Sequence, residues 1–189
     1  MAQSLLDASA SGDLGGGQVV LVASDRADAG ALDRGRRADI EALFVDPRLF
    51  GGRAEFCAGL ASEIERRDIS LVCLAGFMRI LTGEFVRPFA GRILNTHPSL
   101  LPSFPGAHAV RDAFEWGVKV TGATIHIVDE EVDHGPIVAQ EAVAVLADDD
   151  EESLHERIKQ VERRIYPEAV RAILQGRVVV EGRRVKGNR

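Results

Sequence analysis

"SLVCLAG" (70–76) and "RILNTH" (92–97) are the two stretches on which the fold turns. Short apolar runs of about four to six residues, continuous rather than alternating, fit strands covered on both faces. "QVVLVAS" (18–24) and "EALFVD" (41–46) read the same way. Between these runs lie helical patterns. "DAGALDRGRRADI" (28–40) is one, weakened by Gly30 and Gly35; "RAEFCAGLASEIERRD" (53–68) is another, with Phe56, Leu60 and Ile64 on one face. Strands alternating with helices imply βαβ units. The expected fold class is therefore α/β, a doubly wound, mostly parallel sheet.

Beyond residue 117 the pattern changes. "KVTGATIHIVDE" (119–130) and "GPIVAQEAVAVL" (135–146) alternate, and predict two longer strands forming an antiparallel edge. A helical stretch follows from the acidic run 148–152, whose charges suit a helix N-terminus better than a metal site. Pro167 is expected to open a second helix. "RVVVEGRRV" predicts a terminal hairpin around Glu181-Gly182.

The chain has 189 residues, of which 46% are hydrophobic, enough for one domain with a full core. No apolar run reaches membrane-spanning length, and the first residues do not read as a signal peptide. A net charge of −6 argues against a nucleic-acid-binding face. Cys57 and Cys73 supply neither a disulfide framework nor metal spacing, and are expected as reduced thiols in a cytoplasmic protein.

In open parallel sheets, ligands bind at the carboxyl ends of strands. The polar end of "RILNTH" places Asn95 and His97 two residues apart, on one side of a strand. An amide can donate to a developing oxyanion, and an imidazole can give or take a proton. "PSLLPSFPG" (98–106) then stiffens the backbone that follows. Among the other histidines, His126 reads as a core or supporting group in a strand, His155 as solvated on a helix and His134 as the neighbour of a possible active loop, while His108 carries no signal of its own. An orienting carboxylate for His97 is available in "DEEVDHGPI", but spacing leaves Asp129, Glu130, Glu131 and Asp133 equally open.

Four segments in order, "LAGFMRIL", "GRILNTHPSLLPSFPGAHA", "TGATIHIVDEEVDHGPIVAQ" and "RRIYP", resemble the folate-dependent formyltransferases, and among them the phosphoribosylglycinamide formyltransferase family of purine synthesis. The resemblance implies a Rossmann-like formyltransferase fold and transfer of formyl from 10-formyltetrahydrofolate to glycinamide ribonucleotide through a tetrahedral intermediate. It implies Asn95, His97 and Asp133 as the catalytic set, and so selects Asp133 among the loop acids. Folate binding is implied for Arg53, for Met78, Arg79, Ile80 and Leu81, for Asn95, and for Asp129, Glu130, Glu131, Val132 and Asp133. Glu162 is implied to contact the ribonucleotide. The folate is a co-substrate, with no tightly bound cofactor and no metal, and the partners are these small molecules, without nucleic acid or membrane. The same chemistry leaves a 10-formyltetrahydrofolate hydrolase or an inactive folate-binding module as alternatives.

The chain departs from the family at its start. "AQSLLDASA" matches the helix that in the family follows a first strand and a Gly-rich, phosphate-holding turn. "GDLGGGQVV" does not replace them, because its glycines precede a strand instead of following one. The expectation is a single formyltransferase domain over 1–189 that lacks this first strand and turn.

Overall fold

The computed structural model describes residues 1–187. In chain order the elements are α1 (Ala2–Ala10), β1 (Leu21–Ser24), α2 (Gly30–Arg37), β2 (Glu41–Phe44), α3 (Arg53–Glu65), β3 (Val72–Leu74), the short α4 (Gly83–Val86) and β4 (Ile93–His97). There follow α5 (Ala109–Trp116), β5 (Val120–Ile127), β6 (Ile137–Ala144), α6 (Glu151–Leu174), β7 (Val178–Glu181) and β8 (Arg184–Gly187). The chain is mixed α/β, as the alternation of runs predicts.

The central sheet runs β3-β4-β5-β6. β3 and β4 are parallel, and β5 and β6 add the antiparallel edge. Two cores sandwich it. On one face Leu94, Ile125, Ile127 and Val143 meet Leu154, Ile158, Tyr166 and Val170 of α6. On the other, Ile93 meets Phe56, Cys57 and Ile64 of α3 and Phe85 and Phe89 around α4. Strand alternation accounts for the division, since Leu94 and Ile93 must point oppositely. The Tyr166 hydroxyl donates to the carbonyls of Leu74 (2.9 Å) and Leu94 (3.0 Å), fastening α6 across β3 and β4.

β1 and β2 form a separate parallel pair instead of extending the central sheet. Among the described residues β1 pairs only with β2, and β3 only with β4, so each keeps a free edge. Both edges line one largely apolar cavity of about 710 Å³, with Leu5 and Leu6 of α1 and Leu174 of α6 among its walls.

α6 is a single helix of 24 residues with Pro167 inside it, so the expected break at Pro167 does not occur. Proline removes one hydrogen bond, but Ile165, Tyr166, Ala169 and Val170 are buried on either side of it. That packing, with the anchored Tyr166, outweighs the lost bond. At the start of α6, Asp150 caps Ser153 N and Ser153 caps Asp150 N in return. Asp149 is held by Arg157. Among the described residues no acidic cluster could hold a metal, and no helix is long and apolar enough to cross a membrane. Cys57 and Cys73 are free thiols, and burial pushes Cys73 up to about 12.

Candidate active site

β4 ends the parallel part of the sheet and delivers Asn95 and His97 to one face at its carboxyl end. In register with β5, Asn95 lies opposite His126 and His97 opposite Thr124. These positions share a face, which becomes polar just where β4 ends.

His126 is buried, and burial, ahead of every other influence, lowers its pKa and keeps it neutral. Its Nδ1 lies 3.2 Å from the Ile127 carbonyl, so the ring proton belongs there. Nε2 is left as an acceptor for Asn95 Nδ2, 3.2 Å away. The amide is thereby orientated, with its second N–H free.

His97 is buried as well. Its Nε2 is 2.8 Å from the Phe104 carbonyl, to which it donates. Nδ1 faces Asp133 Oδ2 at 3.4 Å. Asp133 Oδ2 accepts from Gly106 N at 2.7 Å, and Oδ1 stands 3.7 Å from His126 Nε2. The loop thus closes over the strand end from both sides. Asp133 sits at φ 53°, a conformation that aspartate tolerates better than most residues.

The segment after His97 is fastened to the sheet. Thr124 Oγ1 donates to the Ser99 carbonyl (2.7 Å) and accepts from Leu101 N (3.2 Å). Gln140 Nε2 donates to the Leu101 carbonyl (2.8 Å). Phe104 and Gly106, whose backbones hold His97 and Asp133, are the far end of this stapled run.

The loop acids separate by neighbour. Asp129 accepts from His134 (2.7 Å) and from Glu131 N (3.0 Å). Glu130 takes Arg87 (2.7 Å), tying the loop to α4. Glu131 is exposed. Asp133 is the one of the four that reaches His97.

Met78, Ile80 and Val132 are exposed at 71%, 55% and 55%, large apolar side chains on the two loops implied to bound the folate. Leu81 instead packs into the core under α3 and α4. Arg79 bonds Asp25 (2.6 Å) and lies over the Phe56 ring (5.3 Å). Arg53 is exposed at the first residue of α3, one turn before Phe56. Glu162 lies on the opposite face of β4 from Asn95 and His97, accepting from Thr96 Oγ1 at 2.6 Å. It is 5% exposed, and burial raises its pKa despite the Thr96 bond and the nearby His97 and Lys159.

Sequence reasoning left His126 undecided and passed over Thr124 and Gln140. The signal for all three was the antiparallel register, which puts them beside Asn95, His97 and one another.

Comparison with known proteins places this geometry in context. The formyl transferase family model matches residues 1–170. Over 181 residues the chain is 47% identical to phosphoribosylglycinamide formyltransferase of Mycobacterium tuberculosis, covering 96% of this chain and 83% of that one. It is also 47% identical over 163 residues to the trifunctional purine biosynthetic protein adenosine-3 of Gallus gallus, covering 86% of this chain but only 16% of that much longer protein. The crystal structure of glycinamide ribonucleotide transformylase 1 from Symbiobacterium toebii superposes with a TM-score of 0.96 at 50% identity, over 99% of this chain and 88% of that one. With the fold, the strand-end Asn-Thr-His and the loop aspartate all in place, the chain belongs to the formyl transferase family.

Proposed function

We propose that this protein transfers a formyl group from 10-formyltetrahydrofolate to the amine of glycinamide ribonucleotide, in the cytoplasm, as a step of purine synthesis. The observation that carries the reading is the convergence of the Asn95 amide, the His97 imidazole and the Asp133 carboxylate at one strand end in a member of this family.

The amine attacks the formyl carbon, forming a C–N bond and a tetrahedral oxyanion. The free N–H of Asn95 donates to that oxygen. The bond from carbon to the folate nitrogen then breaks, and that nitrogen takes a proton. His97 supplies it from Nδ1, because Nε2 is occupied by the Phe104 carbonyl. The attacking amine gives up one proton, which replaces the one His97 delivers, so charge and protons balance. Asp133 holds the protonated ring. Met78, Ile80 and Val132 form apolar walls for the flat pterin, with backbone groups of 78–81 and 129–133 contacting its edge. Arg79 and Glu130 support those walls through Asp25 and Arg87. Arg53 receives the charged end of the folate, and Glu162 contacts the ribonucleotide. No metal or tightly bound cofactor is required.

The test is steady-state assay of the purified chain with 10-formyltetrahydrofolate, following release of tetrahydrofolate optically with and without glycinamide ribonucleotide. Release that depends on the ribonucleotide is expected. Release of formate without it would make the protein a hydrolase. Folate binding without either product would make it a binding module.

A further inference from the structure

The β7–β8 hairpin reaches back to the loop that carries Asp133. Arg183, in the hairpin turn, places Nη1 2.7 Å from His134 Nε2 and donates from Nη2 to the His134 carbonyl at 2.6 Å. His134 Nδ1 lies 2.7 Å from Asp129 Oδ2, and Asp129 Oδ1 accepts from Glu131 N. A guanidinium has donors only, so His134 Nε2 must accept. The ring proton therefore sits on Nδ1 and is donated to Asp129. Arginine, histidine and aspartate form a directional relay along the outside of the loop, one residue beyond Asp133.

We propose that Arg183 is a positioning residue for Asp133, acting through His134, so that the terminal hairpin straps the loop in its working conformation. The proposal rests on the formyl-transfer reading only for its activity readout. Three features support it. Arg183 grips both the side chain and the backbone of His134, and a bidentate guanidinium restricts direction as well as distance. Asp133 holds a left-handed φ that loop neighbours must sustain. Gly106 N anchors the Asp133 side chain at 2.7 Å, and the Arg183 bond to the His134 carbonyl at 2.6 Å adds a restraint on the backbone one residue on.

The experiment pairs a double-mutant cycle with nitrogen NMR of the full chain. Arg183→Ala and His134→Ala are each expected to lower kcat about 10- to 100-fold, as displaced catalytic groups do, with KM for the folate changed far less. The double variant should be no worse than either single one, because both remove the same relay. Independently of activity, nitrogen NMR should show an Nδ1–H, bare-Nε2 ring at His134 in the parent chain, and Arg183→Ala should abolish that preference. Additive effects in the cycle, an unchanged kcat in Arg183→Ala, or an Nε2–H ring in the parent would overturn the proposal. An inactive parent that shows the Nδ1–H ring would instead count against the formyl-transfer reading alone.

Discussion

Asn95 has two amide protons and commits one to a neutral His126, which leaves the other available. Asn95→Ala and Asp133→Ala should each lower kcat by about 10²–10⁴ while weakening folate binding much less, measured by parallel kinetics and ligand titration. Equal losses in both would mean that these groups bind instead of react. Glu162 gives a different test. Its folded pKa is raised by burial, so its stabilising share is full below the ordinary glutamate range and is lost as pH rises through the folded value. At pH 7 the buried carboxylate is a cost. Glu162→Gln keeps an acceptor for Thr96, so its melting temperature should exceed the parent's at pH 7, with the gap closing toward pH 4. If Glu162 contacts the ribonucleotide as proposed, turnover should fall as well. An identical melting curve at pH 7 would rule out the burial argument. In the sequence, Asn95 and His97 were legible from strand periodicity alone. Asp133 was not, because Asp129, Glu130 and Glu131 differ from it only in which cation or imidazole the folded loop brings near.

The loop 129–134 and the run 98–106 are both irregular, and both are held by side chains of β5 and β6 or by the hairpin. Gly135 lets the loop return to the sheet. A Cβ there would lie 1.8 Å from the Ile127 carbonyl oxygen, backbone that cannot step aside. Gly135→Ala should therefore displace Asp133 and destabilise the chain, by about 2–4 kcal/mol given the strain and the lost strand contacts. Denaturant unfolding would check this, and a loss under 0.5 kcal/mol would show the loop to be looser than described. The apolar runs predicted β1 to β4 in the right places, and the alternating runs predicted β5 and β6. Pro167 misled because local propensity does not register the burial of Tyr166 and its neighbours. Thr124 and Gln140 read as ordinary strand polar residues until the register sets them under the Ser99–Leu101 carbonyls.

The slot between β1 and β3 is where sequence and architecture meet least comfortably. Two parallel pairs face each other with free edges across about 710 Å³ of largely apolar space. An edge left unpaired invites association with other chains. Ala2 of α1 lines the same cavity, so a strand joined ahead of α1 would enter it directly. An apolar segment of about five to six residues fused there, with a short glycine turn, should raise the melting temperature by about 4–8 °C, the shift expected for roughly 2 kcal/mol. A polar segment of equal length should not. If the apolar fusion melts with the parent, the slot does not accept a strand. No property of the apolar runs themselves signals that β1 and β2 form a sheet apart from β3 to β6.

The same division sets an order of opening. β1 and β2 bond only to each other within their sheet, and an isolated pair of strands is marginal in water. β4 has partners on both sides and α6 across one face. Amide protons of Leu21–Ser24 and Glu41–Phe44 can therefore trade with solvent deuterium through local excursions, while those of Ile93–His97 wait for global unfolding. Arg79 bonds Asp25, just past β1, so the 78–81 segment is moored to the pair expected to open first, and Asn95 and His97 to the strand expected to open last.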